Sequence, residues 1–290
     1  MTTRAWLTPD DLDGYRSRPI LLPYSAGGEW FPALLGAVGL LGDPANHEEH
    51  GDVQPAVAAR AWQRVFDCLL RDDCLLCRTL TAAPDNLVGL WPMWQDCPET
   101  LEDISGHAAH GEGAAVFLGA PGPHSTYSAS LNGSTSGLNA HSATLAGLFD
   151  GDEGTLSIWL RPGDSGWAQS ALLAYWATAQ SFVFIQDLGN GYLNVARRIN
   201  NAGAYQLVPV EGTDWVHIAI TWSVTDDARK VYKDGSMVGA ADTGLDSWAG
   251  GSITLAELGG YVGAMVFDGF IGPVAVWDRA LTGQEITGLV

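Results

Sequence analysis

In the stretch from residue 215 to 222, Val216, Ile218, Ile220 and Trp222 fall on one side of an extended chain. Trp215, His217, Ala219 and Thr221 fall on the other, and this period-two alternation predicts a half-buried strand. Residues 231–239 read as a strand, a tight turn at Asp234-Gly235 and a return strand, because Asp-Gly tolerates the positive φ of a two-residue hairpin. Residues 269–277 alternate again and precede a short polar segment, Thr282 to Ile286. The first 85 residues carry a different signal. Residues 29–41 look helical, with Pro32 allowed in the first turn, and residues 52–70 form a second helical pattern. Trp62, Phe66, Leu69 and Leu70 mark its apolar face.

The order of the C-terminal segments resembles the laminin-G-like jelly roll, a concanavalin-A-like sandwich. The Trp215–Trp222 strand, the Asp234-Gly235 hairpin and the closing strand with Trp277-Asp278-Arg279-Ala280-Leu281 carry the likeness. The opening strand at Asn86–Trp94, the loop of Asp103, Ser105, Gly106 and Gly111, and the strand with Ser157-Ile158-Trp159 extend it to residues 86–290. The fold implied is mainly β: a two-sheet antiparallel sandwich with a small helical and extended N-terminal region at 1–85. Within that region, Leu21 to Tyr24, Glu29-Trp30, Leu34 to Ala37, Asn46 to Gly51 and Gln54 to Phe66 resemble a segment at the N-terminus of some bacteriophage structural proteins. His47 stands where that segment usually has Trp. The likeness implies an anchor in which Trp30, Leu34, Trp62, Phe66 and Leu69 make the assembly contacts.

Charge narrows the partners. The net charge is −19, with −5 in residues 1–85 and −14 in residues 86–290. Such a surface repels phosphate backbones, so nucleic acid is not an expected partner. No run is long and apolar enough to span a bilayer, and the N-terminus lacks the apolar stretch of a signal peptide. The expectation is a product of the bacterial cytoplasm that leaves as part of an assembly. The four cysteines, Cys68, Cys74, Cys77 and Cys97, lie close together but lack the paired spacing of a four-cysteine zinc site. They read as buried free thiols, with a disulfide to the first strand as the alternative.

No catalytic set emerges. His47-Glu-Glu-His50 spaces its histidines by three rather than four and reads as a hydrated loop. Related hydrolases carry two carboxylates on one strand; the predicted strands here carry no such pair. Asp278 reads as a structural residue beside Arg279. The laminin-G resemblance implies a calcium ion held by Asp103 and the Gly106 backbone, with Glu102 and Asp268 as further oxygen donors. Gly272-Pro273 stands where that family often has Asp-Glu, which removes a carboxylate. No other cofactor is implied. For ligand binding, Trp167, Tyr175, Trp176 and Trp248 are the candidate stacking residues, because aromatic rings stack on sugar faces. Arg197, Arg198, Asn200 and Asn201 are their polar neighbours.

These features point to a non-enzymatic virion protein, in a tail fibre, receptor-binding or decoration role. It would be anchored through residues 1–85 to other virion proteins, self-associated in several copies such as a trimer, and turned toward a cell-surface glycan. A carbohydrate-binding module of a bacterial surface protein is the alternative, and a glycan-degrading enzyme a third reading.

Overall fold

The computed structural model describes residues 74–94, 100–114, 116–167, 170–200, 202–260 and 265–290. Trp30, Leu34, Trp62, Phe66, Leu69 and the His47–His50 segment lie outside the described residues.

The described strands, numbered in chain order, make two antiparallel sheets. One runs β14 (Ser236–Met237), β13 (Ala228–Lys233), β12 (Val216–Ser223), β7 (Glu153–Pro162), β16 (Asp268–Trp277), β5 (Tyr127–Asn132) and β4 (Phe117–Pro121). Its eighth strand, β1 (Leu87–Trp91), pairs with the far half of β16, so that Leu90 faces Ala275. The other sheet runs β11 (Tyr205–Pro209), β10 (Tyr192–Ile199), β9 (Ser181–Leu188), β8 (Ser170–Ala177), β15 (Leu255–Leu258), β6 (Gly137–Asn139), β3 (Gly111–Ala114) and β2 (Thr100–Leu101). We call them the backed sheet and the open sheet, for what covers their outer faces.

The inner faces meet in one apolar core. Val216, Ile218, Ile220 and Trp222 of β12 enter it together, as their alternation predicts. Trp176, Val183, Ile185 and Leu193 enter from the open sheet. Yet β12 is buried on both sides, not half-buried. The reason is a second apolar cluster on the outer face of the backed sheet. Helix α1 (Leu75–Thr81) contributes Leu76 and Leu80 to it, and the C-terminal segment with helix α3 (Gly283–Thr287) contributes Leu281, Ile286 and Leu289. Leu90, Ala219, Tyr232, Ala275 and Trp277 are the floor. The Trp277 indole Nε1 donates to the Ala82 carbonyl at 2.6 Å, and Arg78 donates to the carbonyl of Val290 at 2.6 Å. Helix α2 (Ala143–Leu148), capped by Ser142, adds Leu145 to the inter-sheet core.

Local chemistry sets the turns. Asp234 and Gly235 have φ of 48° and 75°, the two left-handed positions of a type I′ hairpin. Thr282 and Glu285 form a capping box at α3, and Arg279 clamps Glu285 through two hydrogen bonds. Asp278 accepts from Asn86 at 2.8 Å, in the structural role its sequence position suggested. Gly272-Pro273 lies at a break in register of β16, where proline has no ladder hydrogen bond to lose. A Cβ at Gly272 would come within 2.9 Å of the Trp159 Cβ, so the position needs glycine for packing.

Cys74 is disulfide-bonded, and Cys77 is free. This corrects the expectation of free thiols throughout. Cys68 and Cys97 lie outside the described residues. Burial pushes the Cys77 thiol up to about 11.

Candidate functional site

The helices and the C-terminal segment cover the backed sheet, and the outer face of the open sheet is built differently. Its registers join into one row that crosses every strand. Thr100 pairs with Glu112, Glu112 with Asn139, Asn139 with Glu257, and Glu257 with Tyr175. Tyr175 pairs with Phe184, Phe184 with Ala196, and Ala196 with Tyr205. At about 4.8 Å per strand, the row is roughly 34 Å long. Leu101, Leu138, Ala256, Leu258, Trp176, Val183, Ile185 and Val195, which adjoin residues of the row along their strands, belong to the inter-sheet core, so the row itself faces outward.

The row has two halves. On β2, β3, β6 and β15 it is polar. Asn139 holds the following turn by accepting from the His141 amide at 2.9 Å. Burial raises the Glu257 carboxyl above its usual range, opposed by His141. On β8 to β11 the face is aromatic. Tyr175 lies 5.7 Å from Phe182, and Phe182 lies 5.7 Å from Phe184. The Arg198 guanidinium sits over Phe182 at 6.0 Å. A parallel row places Leu172, Gln186, Asn194 and Leu207 side by side. Tyr205 is 63% exposed and Tyr192 43%, high values for aromatic rings. Phe184 is 7% exposed and Ala196, between it and Tyr205, is fully buried, so Tyr205 and Tyr192 are the rings that reach furthest into solvent on this half.

The residues expected from sequence to bind ligand divide sharply. Tyr175 and Arg198 lie on this face, flanking Phe182. Trp176 is fully buried in the inter-sheet core, because it adjoins Tyr175 on a strand and must point the other way. Arg197 adjoins Arg198 and is turned inward for the same reason. It is 3% exposed, donates to the carbonyls of Gly151 and Asp246, and pairs with Asp152 at 3.7 Å. Trp248 packs on Phe149, with the Arg197 guanidinium 5.8 Å from its ring. The acidic turn at Asp150–Glu153 is thereby tied to a buried arginine. Trp167 is buried and stacks on Phe267 at 6.2 Å. It also walls a cavity of about 360 Å³ with Asp164, Gly191, Glu211 and Thr213, at the Tyr192 end of β10. Asn200 is the left-handed residue of the turn after β10, at φ 49°. Asn201 lies outside the described residues.

The residues expected to hold calcium do not converge. The Asp103 carboxylate accepts four hydrogen bonds, from the amides of Leu90, Ser105 and Ala109 and from the Ser105 hydroxyl, all at 2.8–2.9 Å. Those donors use the lone pairs a cation would need. Glu102 accepts from the Trp94 indole at 2.6 Å. Asp268 sits seven positions along β16 from Ala275, the residue opposite Leu90, hence roughly 23 Å away at about 3.3 Å per residue. Among the described residues no group of three or more His, Cys, Asp or Glu is placed to hold a metal. The set of Glu102, Asp103, Gly106 and Asp268 therefore does not fit a single ion. The Asp103 loop is instead a hydrogen-bonded brace between β1 and the loop that follows β2.

A buried polar pair lies on the outer side of the backed sheet. Ser157 Oγ and His217 Nε2 are 2.8 Å apart. Both are buried, and desolvation lowers the His217 pKa to about 3. The imidazole is thus neutral and sealed from solvent, which suits packing rather than nucleophilic chemistry.

Human neuronal pentraxin receptor is 28% identical over 144 residues, which is 47% of this chain and 28% of that protein. Guinea-pig neuronal pentraxin-2 is 30% identical over 145 residues, 47% of this chain and 33% of that protein. The chain thus spans about a third of the length of these curated relatives. Among solved structures, domain 4 of the extracellular arabinanase AbnA from Geobacillus stearothermophilus, in complex with arabinotriose, superposes with a TM-score of 0.52. It is 18% identical, over 70% of this chain and 98% of that one. Trypanosoma rangeli sialidase with 2,3-difluorosialic acid has a TM-score of 0.56 at 14% identity, over 81% of this chain and 38% of that one. These two likenesses are of fold alone. Residues 132–287, more than half of the chain, match the family described as the concanavalin A-like lectin/glucanases superfamily, and the chain belongs to that family.

Proposed function

We propose that this protein is a non-catalytic glycan-binding protein, with the outer face of the open sheet as its binding surface. The observation that carries this reading is the cross-strand row from Glu112 to Tyr205, which sets the half-buried Tyr175 and the exposed Tyr205 in one line with amide and carboxylate groups on a sheet. Aromatic rings bury the apolar face of a sugar while fixed polar groups accept its hydroxyls. The arabinotriose bound to the similar arabinanase domain is consistent with such a role. A glycan array with the full chain tests it. Binding weakened in Tyr205→Ala and in Tyr192→Ala, with the fold intact, is expected; binding unaffected by both would move the site elsewhere. Turnover of any bound glycan would overturn the non-catalytic part, and Glu257 and Glu112 would then be the carboxylates to replace first.

The finer reading is a virion component, made in the cytoplasm, held to other virion proteins through residues 1–85 and present in several copies. It rests on the resemblance of residues 21–66 to phage structural proteins. Cryo-electron microscopy of particles from the source organism tests it: density for the sandwich, attached through its N-terminal side, is expected. One observation favours the alternative, a binding module at a bacterial surface. Cys74 is disulfide-bonded, and disulfides persist mainly in oxidising surroundings. A chain absent from every particle and found oxidised at the cell surface would decide for the module.

A further inference from the structure

The charges on the open sheet specify the class of glycan, given the binding face proposed above. The row carries two carboxylates, Glu112 and Glu257, on either side of Asn139. Eight arginines and lysines lie within the described residues. One of them, Arg198, belongs to the outer face of the open sheet, and it is drawn over the Phe182 ring. Arg197 is turned inward and satisfied by backbone carbonyls and Asp152. Arg229 is buried and bonded to Ala204 and Asp242. Lys233 reaches the rim of the sheet and donates to the Pro209 carbonyl at 2.8 Å. The polar half of the row therefore offers acceptors and negative charge, and its background is a chain of net charge −19. A sugar hydroxyl donates to such carboxylates, whereas a uronate or sialate carboxylate is repelled by them.

The shape argues for length. The row is continuous in register over eight strands and joins the polar half to the aromatic half, so contact with both suits a chain laid across the strands rather than one terminal sugar. We infer that the open sheet binds a neutral, linear polysaccharide of several sugar units, with its rings on the Tyr175–Tyr205 half and its hydroxyls donating to Asn139 and Glu257, and that it excludes acidic polysaccharides.

The test uses the full chain in affinity electrophoresis and titration calorimetry. The probes are neutral linear polysaccharides (arabinan, xylan, hydroxyethyl cellulose), each paired with its carboxymethyl derivative. At low salt the neutral member of a pair is expected to bind at least about tenfold more tightly than its carboxymethyl form, and the gap is expected to close in high salt. The double variant Glu112→Gln, Glu257→Gln is expected to narrow the gap without loss of fold. A carboxymethyl form bound as tightly as its neutral parent at low salt would overturn the charge argument and leave the binding face standing. If short and long oligomers of a bound sugar show equal affinity, the extended-chain argument fails. If no probe binds, or binding is undiminished in Tyr192→Ala with Tyr205→Ala, the binding face itself is refuted.

Discussion

The two sheets share one core and present opposite outer faces. On the backed sheet, Trp277 is 1% exposed beneath helix α1, its indole donor satisfied by Ala82. On the open sheet, Tyr205 is 63% exposed. Both are aromatic residues pointing away from the inter-sheet core. The difference lies in what the rest of the chain brings to them. Two short helices and a C-terminal strap turn one outer face into a second core, and the other remains a surface. The contrast separates residues that hold the protein together from residues available to a ligand.

The largest test of that division is Trp277→Ala, which empties a fully buried site in the second cluster. It is expected to cost about 3–5 kcal/mol in a denaturant melt. A cost near that of a surface residue would mean that the helical cover is not part of the stable unit. Next, Asp103→Asn should cost about 1–3 kcal/mol, because an amide nitrogen replaces one acceptor facing several donors. EDTA should leave the melting temperature unchanged, since those same hydrogen bonds fill the carboxylate. A drop on chelation would restore calcium to that loop.

A smaller effect belongs to the clamp below α3. Arg279 holds the Glu285 carboxyl down at about 2, from an ordinary value near 4.5. The pair is 29% exposed on each side, so solvent screening reduces its worth to about 1–2 kcal/mol. A depressed carboxylate stabilises the fold fully above its unfolded value, and the gain is lost as pH falls from about 4.5 toward 2. Glu285→Gln should therefore flatten the acid limb of the stability curve in that window and leave glycan binding alone. The smallest effect on stability, within about 0.5 kcal/mol, is expected for Tyr205→Ala. Its effect on glycan affinity should be clear, roughly two- to tenfold, which is the worth of one stacked ring.

Much of the fold was legible. The alternation of β12, the Asp234-Gly235 turn and the closing strand are local patterns, and each local pattern is physically sufficient for its element. The half-burial expected for β12 failed because its outer side is covered by α1 and α3, which are remote in sequence. The ligand face was legible only in part. Period two already forbids Tyr175 and Trp176, or Arg197 and Arg198, from sharing a face. It cannot say which member faces out. Glu257, Asn139, Phe182, Phe184, Gln186, Asn194, Tyr192 and Tyr205 were missed for a related reason. Phe182, Phe184 and Gln186 do alternate with Val183, Ile185 and Asp187 in the sequence. The partners that turn such a stripe into a row come from eight strands spread between residues 100 and 258.

By itself, then, the sequence determined the strands, the turns, the capping box and the net charge, since each depends on side chains close together in the chain. The tertiary structure alone decided which side of each strand met solvent, that the Asp103 loop braces β1 rather than converging with Asp268, and that one sheet would be covered and the other open. Those outcomes depend on contacts between residues far apart in sequence, and alternation along one strand carries no information about what the rest of the chain will place against it.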